Sequence, residues 1–285
     1  MPKDKIPKQL ILPERQALKI ISLKSYIHEL SEVPHRHDHY QLLWITKGHG
    51  SQSIDGISYP MQTNRVFLIR TGQIHKMEDL QRDGWMILFS DVLYNAIIKL
   101  FPALEQHGLL DVTAPQPFID LDEKGILVYK NILPLLIEEQ NSITPDIKLL
   151  ATYLSSMLIT ANNMYVAENN VNTIQSNEAK SIVKQAKTLL EQNFKTQQQT
   201  QFYSDKLNIS PRKLNAVLQT FYGITMHDLI QKRLLMESCI LLASSSMNIK
   251  EICYHLGFAD PAYFNRFFKK YMSTTPANYR EHHKL

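Results

Sequence analysis

Cysteine is nearly absent: Cys239 and Cys253 are the two in 285 residues. Both fall within hydrophobic helical patterns, so there is no disulfide framework, and reduced, core-filling thiols fit a cytosolic protein. Glycine is scarce as well, at nine residues beside thirteen prolines, which excludes a collagenous or low-complexity chain. Long apolar runs are missing too. The longest, residues 149–161, is broken by Thr152, Ser155, Ser156 and Thr160 and falls short of the ~20 residues a bilayer-spanning helix needs. Behind the charged start at residues 1–8 no apolar segment follows, so a cytoplasmic location is expected and export is not. What remains, 44% hydrophobic and 20% charged, suffices for two globular cores at roughly 100–200 residues per domain.

The net charge of +4 conceals a division. Residues 179–285 hold fifteen Lys and Arg against seven Asp and Glu, whereas residues 1–178 hold sixteen against twenty. A basic C-terminal module on an acidic N-terminal one fits a part that meets a polyanion joined to a part that does not. The alternative is a solvated, lysine-rich helical surface.

Residues 20–90 read as short strands. Runs such as 41–46 (Gln-Leu-Leu-Trp-Ile-Thr) and 65–70 (Arg-Val-Phe-Leu-Ile-Arg) are separated by turn signals at Gly48, Asp55-Gly56, Gly72 and Asp83-Gly84. Many short strands with frequent turns predict a β-barrel or sandwich. From residue 91 to about 166 the period becomes helical, with Leu127, Ile132, Leu135 and Leu136, then Leu149, Leu150, Tyr153, Leu154, Met157 and Leu158. These helices either pair two chains, which we expect, or cover the barrel. The polar tract at 167–178 is predicted to be a linker between a domain at 1–166 and an all-helical one at 179–285.

The last ninety residues hold a degenerate repeat. Ser210-Pro211 and Asp260-Pro261 each pair a helix N-cap with a proline at the first helical position, where a missing N–H costs nothing. Leu214, Val217, Leu218 and Phe221 follow the first; Phe264, Phe267, Phe268 and Tyr271 follow the second on the same i, i+3, i+4, i+7 face. Upstream, Asn208 and Gly257 hold matching turn positions and are residue types that tolerate a left-handed backbone. A short helix, a tight turn and a second capped helix make a helix-turn-helix, whose second helix enters the DNA major groove. Two copies joined by one amphipathic helix, from about 226 to 242, could read successive groove segments ~34 Å apart.

At this point the residues resemble a known family. Ile249, Ile252, Leu256, Gly257, Phe258, Asp260, Pro261, Tyr263, Phe264, Arg266, Phe267, Phe268, Lys269 and Lys270, followed by Thr275, Pro276, Tyr279 and Arg280, look like the C-terminal signature of AraC/XylS-type bacterial transcription regulators. The likeness covers about a hundred residues. Cys253 and Ser204 stand where that family usually has alanine, and Ser273 where it usually has glycine, although Gly223 keeps it in the first copy. The resemblance implies DNA and RNA polymerase as partners, an effector-controlled change in the arrangement of sensor, N-terminal arm and DNA domains, and no catalytic role or cofactor.

Once the apolar faces are assigned, Arg212, Lys213, Asn215, Ala216 and Gln219 point outward on the first recognition helix. Pro261, Ala262, Asn265, Arg266, Lys269 and Lys270 do so on the second. Arg contacts guanine and Asn or Gln contacts adenine, so Arg212, Asn215, Asn265 and Arg266 are the main base-reading residues, with Ala216, Gln219, Pro261 and Ala262 beside them. Lys213, Lys269 and Lys270 are assigned to phosphate. Solvated surface charge is the plainer alternative for each.

In the N-terminal module, His35, His37, His39 and Gln41 alternate as an extended strand would place them on one face, with His75 downstream. The pattern is similar to the two cupin motifs, which bind a metal through histidines and a carboxylate inside a small barrel; here Gln41 occupies the carboxylate position, and an amide is a poorer ligand. AraC-type regulators typically pair such a barrel with the C-terminal module. A small-molecule effector is therefore expected to meet His37, Gln41, Trp44, His75 and Trp85, without metal. One rival is a metal-dependent cupin enzyme using His35, His37 and His75, fused to a DNA-binding domain. Another is DNA-alkylation repair by a cysteine acceptor, which the core patterns around Cys239 and Cys253 disfavour.

Overall fold

The computed structural model describes residues 16–25, 33–106, 108–111, 116–170 and 177–283, together with 12 and 114. The N-terminal arm expected over the first residues therefore lies outside the described residues.

The N-terminal half is built on one antiparallel sheet: β1 (Leu18–Ser22), β2 (Tyr40–Ile54), β3 (Ile57–Pro60), β4 (Arg65–Ile69), β5 (His75–Phe89) and β6 (Phe118–Asp120). The strands neighbour one another in the order β1-β5-β2-β4-β6, with β3 paired to the far end of β2. Asp55 and Gly56, between β2 and β3, both have positive φ, at 49° and 79°, as a two-residue hairpin turn requires. β2 and β5 pair along most of their length, with register shifts at Ile45/Lys47 and His49/Ser51. Such bulges bend a ribbon. The sheet curls so that one face encloses its own core, with Leu43, Ile45, Phe67, Ile69, Met86 and Leu88. The opposite face, with Leu42, Trp44, Val66, Leu68, Ile87 and Phe89, lies under helices. Because side chains alternate along a strand, β2 reads apolar at consecutive positions only where both of its faces are covered.

The covering helices are α1 (Asp91–Leu100), α2 (Ala103–Gln106), α3 (Glu123–Gln140) and α4 (Ile147–Asn170). Ser90 and Asp122 cap α1 and α3 through the N–H groups of Leu93 and Gly125. Tyr129 on α3 donates its hydroxyl to the Met157 carbonyl of α4 at 3.1 Å, fixing the pair beneath which Leu133, Leu136, Leu154 and Leu158 are buried. α4 runs four residues into the tract expected to be linker, and α5 (Asn177–Asn193) starts before its end. Polarity alone did not mark the break; the buried helical face runs as far as Tyr165, two residues before this stretch. Residues 171–176 lie outside the described residues.

After α5 come α6 (Thr200–Lys206), α7 (Pro211–Tyr222), α8 (Met226–Ser244), α9 (Ile249–His255), α10 (Pro261–Met272) and α11 (Pro276–His283). The repeat in the sequence corresponds to α6–α7 and α9–α10. Ser210 accepts from the Lys213 N–H, and Asp260 accepts from those of Ala262 and Tyr263. The turn residues Asn208 and Gly257 are left-handed, with φ of 53° and 80°. At Gly257 a Cβ would lie 1.8 Å from the Lys195 carbonyl oxygen, so glycine is obligatory there.

Gly223 and Ser273 end the two recognition helices with φ of 67° and 56°. Glycine takes this conformation freely and serine does not. Ser273→Gly should therefore stabilise the protein by about 0.5–1 kcal/mol, seen as a higher denaturation midpoint at unchanged slope; an unchanged or lower midpoint would contradict a strained cap.

The joining helix differs from expectation. It is not amphipathic: Leu229, Ile230, Arg233, Leu234, Met236, Glu237, Cys239, Ile240 and Leu242 are all among its buried residues. A helix apolar around its circumference must be covered on all sides. The helix-turn-helix units cover part of α8, and the sheet domain covers another face, where Ile74 packs against Met236 and Ile240.

Candidate functional site

The two recognition helices present unequal surfaces. On α10, Ala262, Asn265, Arg266, Lys269 and Lys270 are exposed and Pro261 is half-buried; the Asn265 amide donates to the Pro261 carbonyl at 2.9 Å. On α7, Arg212, Lys213, Ala216 and Gln219 are exposed. Lys213 pairs with Glu178 of α5. Asn215 is only half-buried rather than outward, and its Oδ1 accepts from the Met226 N–H at 2.9 Å. That N–H is an unpaired donor of the first turn of α8, so Asn215 links the first recognition helix to the joining helix. The apolar pattern of α7 could not show this, because the partner lies on another element. Tyr254 and Tyr263, to which the sequence assigns no DNA contact, are each 51% exposed on the second unit. The available signal was their position off the buried face.

At one end of the curled sheet the histidines converge. They do so on an irregular segment ahead of β2 rather than on a regular strand: His35 makes an isolated bridge to His75, and β2 begins only at Tyr40. The His35 and His75 rings lie 4.3 Å apart, His37 and His75 4.7 Å, and His37 stacks on His39 at 3.8 Å. His37 Nδ1 meets the His39 carbonyl at 2.7 Å, so the proton of the neutral ring sits there and Nε2 is an acceptor. The Gln41 amide, 3.2 Å from Nε2, satisfies it by turning its NH2 group toward the ring. His35 Nε2, His39 Nε2 and, with the amide so turned, the far oxygen of Gln41 are buried without a hydrogen-bond partner, and His39 Nδ1 has the Asp38 carboxylate 3.5 Å away. Buried polar atoms are nearly always paired, so this concentration marks a place built for polar company.

Burial holds all four rings neutral. It pulls His37 down to about 3, with the neighbouring His39 and His35 adding to the effect, and lowers His35, His39 and His75 in the same direction. The unfolded chain then binds more protons than the folded one below the ordinary histidine value of ~6.5. Stability is complete above that pH and should fall steadily as pH drops toward 3, an acid loss that chemical denaturation at stepped pH would follow; a flat profile between 6.5 and 4.5 would refute it.

Trp44 and Trp85 are not part of this cluster. Gln41, Leu43 and Ile45 share one face of β2 and Trp44 takes the other, as a period of two demands for positions three apart. Trp85 is the cross-strand partner of Trp44. The five residues expected to form one effector pocket are thus divided between the two faces of the sheet. Among the described residues, no group of three or more His, Cys, Asp or Glu is arranged to hold a metal ion.

The segment carrying His35 and His37 also reaches the DNA-binding half. Arg36, between them, donates two hydrogen bonds to the Glu237 carboxylate on α8, at 2.8 and 3.0 Å. Glu237 is held in turn by Arg233 at 2.9 Å, with Lys195 4.0 Å away, and Arg233 reaches Glu191 of α5. Burial opposes ionisation of Glu237, but Arg233, Arg36 and Lys195 together outweigh it and hold its pKa below the usual glutamate value. Nearby, Lys232 donates to the Gly56 carbonyl at 2.6 Å, and Lys187 is enclosed between the halves beside Arg70 and Asp55, its ammonium 4.5 Å over the Tyr222 ring. Burial, helped by Arg70, pulls Lys187 down to about 8.

A basic pair of helix-turn-helix units locked by a charged joint to a curled sheet with a buried histidine cluster defines a DNA-binding regulator with its own sensing domain. Comparison with known proteins agrees. Residues 203–282 match a helix-turn-helix domain model, and residues 27–90 match that of an AraC-like ligand binding domain. The chain is 34% identical over 116 residues to the probable transcription factor PqrA of Proteus vulgaris, covering 41% of this chain and 87% of that protein. It is 21% identical over 252 residues to the transcriptional activator RhaR of Mannheimia succiniciproducens, covering 86% of each. In architecture it resembles ToxT from Vibrio cholerae, with a TM-score of 0.51 at 15% identity over 95% of this chain and 100% of that one. The chain belongs to the AraC/XylS family of transcription regulators.

Proposed function

We propose that this regulator reads about two turns of DNA with α7 and α10, and that a small polar effector at the histidine end of the sheet controls how firmly the two halves are joined. The observation that carries the coupling is Arg36: its neighbours His35 and His37 belong to the buried histidine cluster, and its guanidinium holds Glu237 on the helix between the reading units. An effector that binds one arrangement of that segment better than another must shift the joint by the difference in affinity. His37, Gln41 and His75 are the contacts assigned to the effector. The unpaired ring nitrogens and the free end of the Gln41 amide there suit a ligand offering both donors and acceptors, such as a polyhydroxylated molecule.

In the same reading, Arg212, Gln219, Ala216, Asn265, Arg266, Pro261 and Ala262 meet base edges, Lys213, Lys269 and Lys270 meet phosphate, and Asn215 positions the first unit instead of reading a base. The regulator works by binding, not catalysis, in the cytoplasm, and engages RNA polymerase once on DNA. In support of this, the buried Cys239 thiol is pushed up to about 12, far from a reactive thiolate. No helix of the described residues is long and apolar enough to cross a membrane.

Selection of duplexes from a random pool by the full chain should converge on one sequence with a protected stretch of about twenty base pairs. A pool that remains random would end the sequence-specific reading. Leu127, Leu135, Ile147 and Leu149 are exposed on α3 and α4, which supports a homodimer formed through these helices. Sedimentation should show self-association at micromolar concentration; a monomer there would return these helices to the role of covering the sheet.

A further inference from the structure

The outer face of the sheet holds a cavity open to solvent. It has a volume of about 440 Å³ and lies between β2, β5 and α3, with Trp44 and Trp85 as its floor and Lys130, Leu133, Pro134 and Ile137 along its wall. This volume falls within the range of sites for small molecules. Two features separate it from ordinary packing. Trp44 is 2% exposed, and its Nε1 has no hydrogen-bond partner, although a buried indole N–H usually finds one. Pro134, inside α3, has no N–H, so the Lys130 carbonyl lacks the helical donor four residues on. A cross-strand pair of indoles thus lies beside one unanswered donor and one helical carbonyl deprived of its usual partner.

We infer that this cavity is a second small-molecule site, distinct from the effector site proposed at the histidine cluster, that takes a flat, largely apolar aromatic compound of about bicyclic size carrying a carbonyl acceptor. The ring system would lie against the half-exposed Trp85, between Leu133 and Ile137, and the carbonyl would accept from Trp44 Nε1 once a shift of the two indoles uncovers that buried atom. The histidine cluster suits the opposite chemistry, polar and rich in hydroxyls, and lies across the sheet. One chain would then sense two unrelated compounds.

Trp44 and Trp85 are the two tryptophans of the chain, so an amide-type nitrogen–proton NMR spectrum of the full protein has two indole signals, and both belong to this cavity. Titration with coumarin, a planar bicyclic lactone, should shift both signals saturably, with the Trp44 N–H moving downfield as it gains an acceptor. Ile137→Phe, which fills the cavity, should abolish the shift, and His37→Ala should leave it intact. Absence of a saturable shift, or an equal shift in Ile137→Phe, would overturn the site. So would indole signals that move on dilution of the protein alone, since a second copy would then be what covers the cavity. Loss of the shift with sequence-specific DNA binding retained would sink this inference and leave the regulator reading standing.

Discussion

Glu237→Ala should destabilise the protein by about 3–5 kcal/mol, the range for removing one partner of a buried ion pair. Glu237 has a side chain only 7% exposed and faces Arg233, which is 6% exposed, with Arg36 and Lys195 on its other sides. Its removal leaves three cations around one apolar space. Arg233 keeps Glu191, which is half-exposed and screened, so that pair compensates poorly. Arg36→Met breaks only the arm that reaches across the domains; with a side chain 32% exposed, Arg36 should cost about 1 kcal/mol in stability. Its larger effect should be on proteolysis at the joint between the halves, and on any response of DNA affinity to effector. Acid should mimic the Glu237 substitution. Because its folded pKa is depressed, its contribution is present above the unfolded value near 4.3 and is lost as pH falls through the folded value. Chemical denaturation of the two variants measures both effects, and a loss under 1 kcal/mol for Glu237→Ala would mean that the joint is solvated and does not hold the halves together.

The reading units were legible in the sequence because their signals are local. A cap, a proline, a left-handed turn residue and an apolar step at helical spacing all lie within about twenty positions, and Ser210, Pro211, Asn208, Asp260, Pro261 and Gly257 took the places expected of them. The strands were legible for the same reason, through Asp55-Gly56 and the alternating runs around it. The joint was not. Arg36 and Glu237 are 201 positions apart, and no periodicity connects them. A weaker signal did exist, in Arg233 and Glu237 set four apart on a helix apolar on every face, since charges at such positions must be paired by something outside the helix. The division of the expected effector set was legible as well. Gln41 and Trp44 are three apart on one strand, and period two alone sends them to opposite faces.

Arg266→Ala and Lys269→Ala should separate reading from holding. Both side chains are exposed one turn apart on α10, yet they differ in what they can recognise. A guanidinium forms two fixed hydrogen bonds to a guanine edge, whereas an ammonium is a point charge that suits a phosphate. Arg266→Ala should therefore weaken the preferred duplex by about 1–3 kcal/mol and flatten the preference at one base pair, with non-specific duplexes less affected. Lys269→Ala should weaken all duplexes alike and make the salt dependence shallower by about 0.9 in log–log slope, one phosphate's worth of released counterion. The first unit should behave differently. Lys213 must give up Glu178 before it can meet a phosphate, so Lys213→Ala should cost less than Lys269→Ala. Asn215→Ala should lower stability and weaken every duplex together, because it removes the acceptor of the Met226 N–H at the start of α8 and not a base contact. Titrations of the four variants against preferred and scrambled duplexes at several salt concentrations measure all of these quantities. Identical base preference and salt slope for Arg266→Ala and Lys269→Ala would dissolve the distinction and reduce the exposed face of α10 to a uniform positive surface.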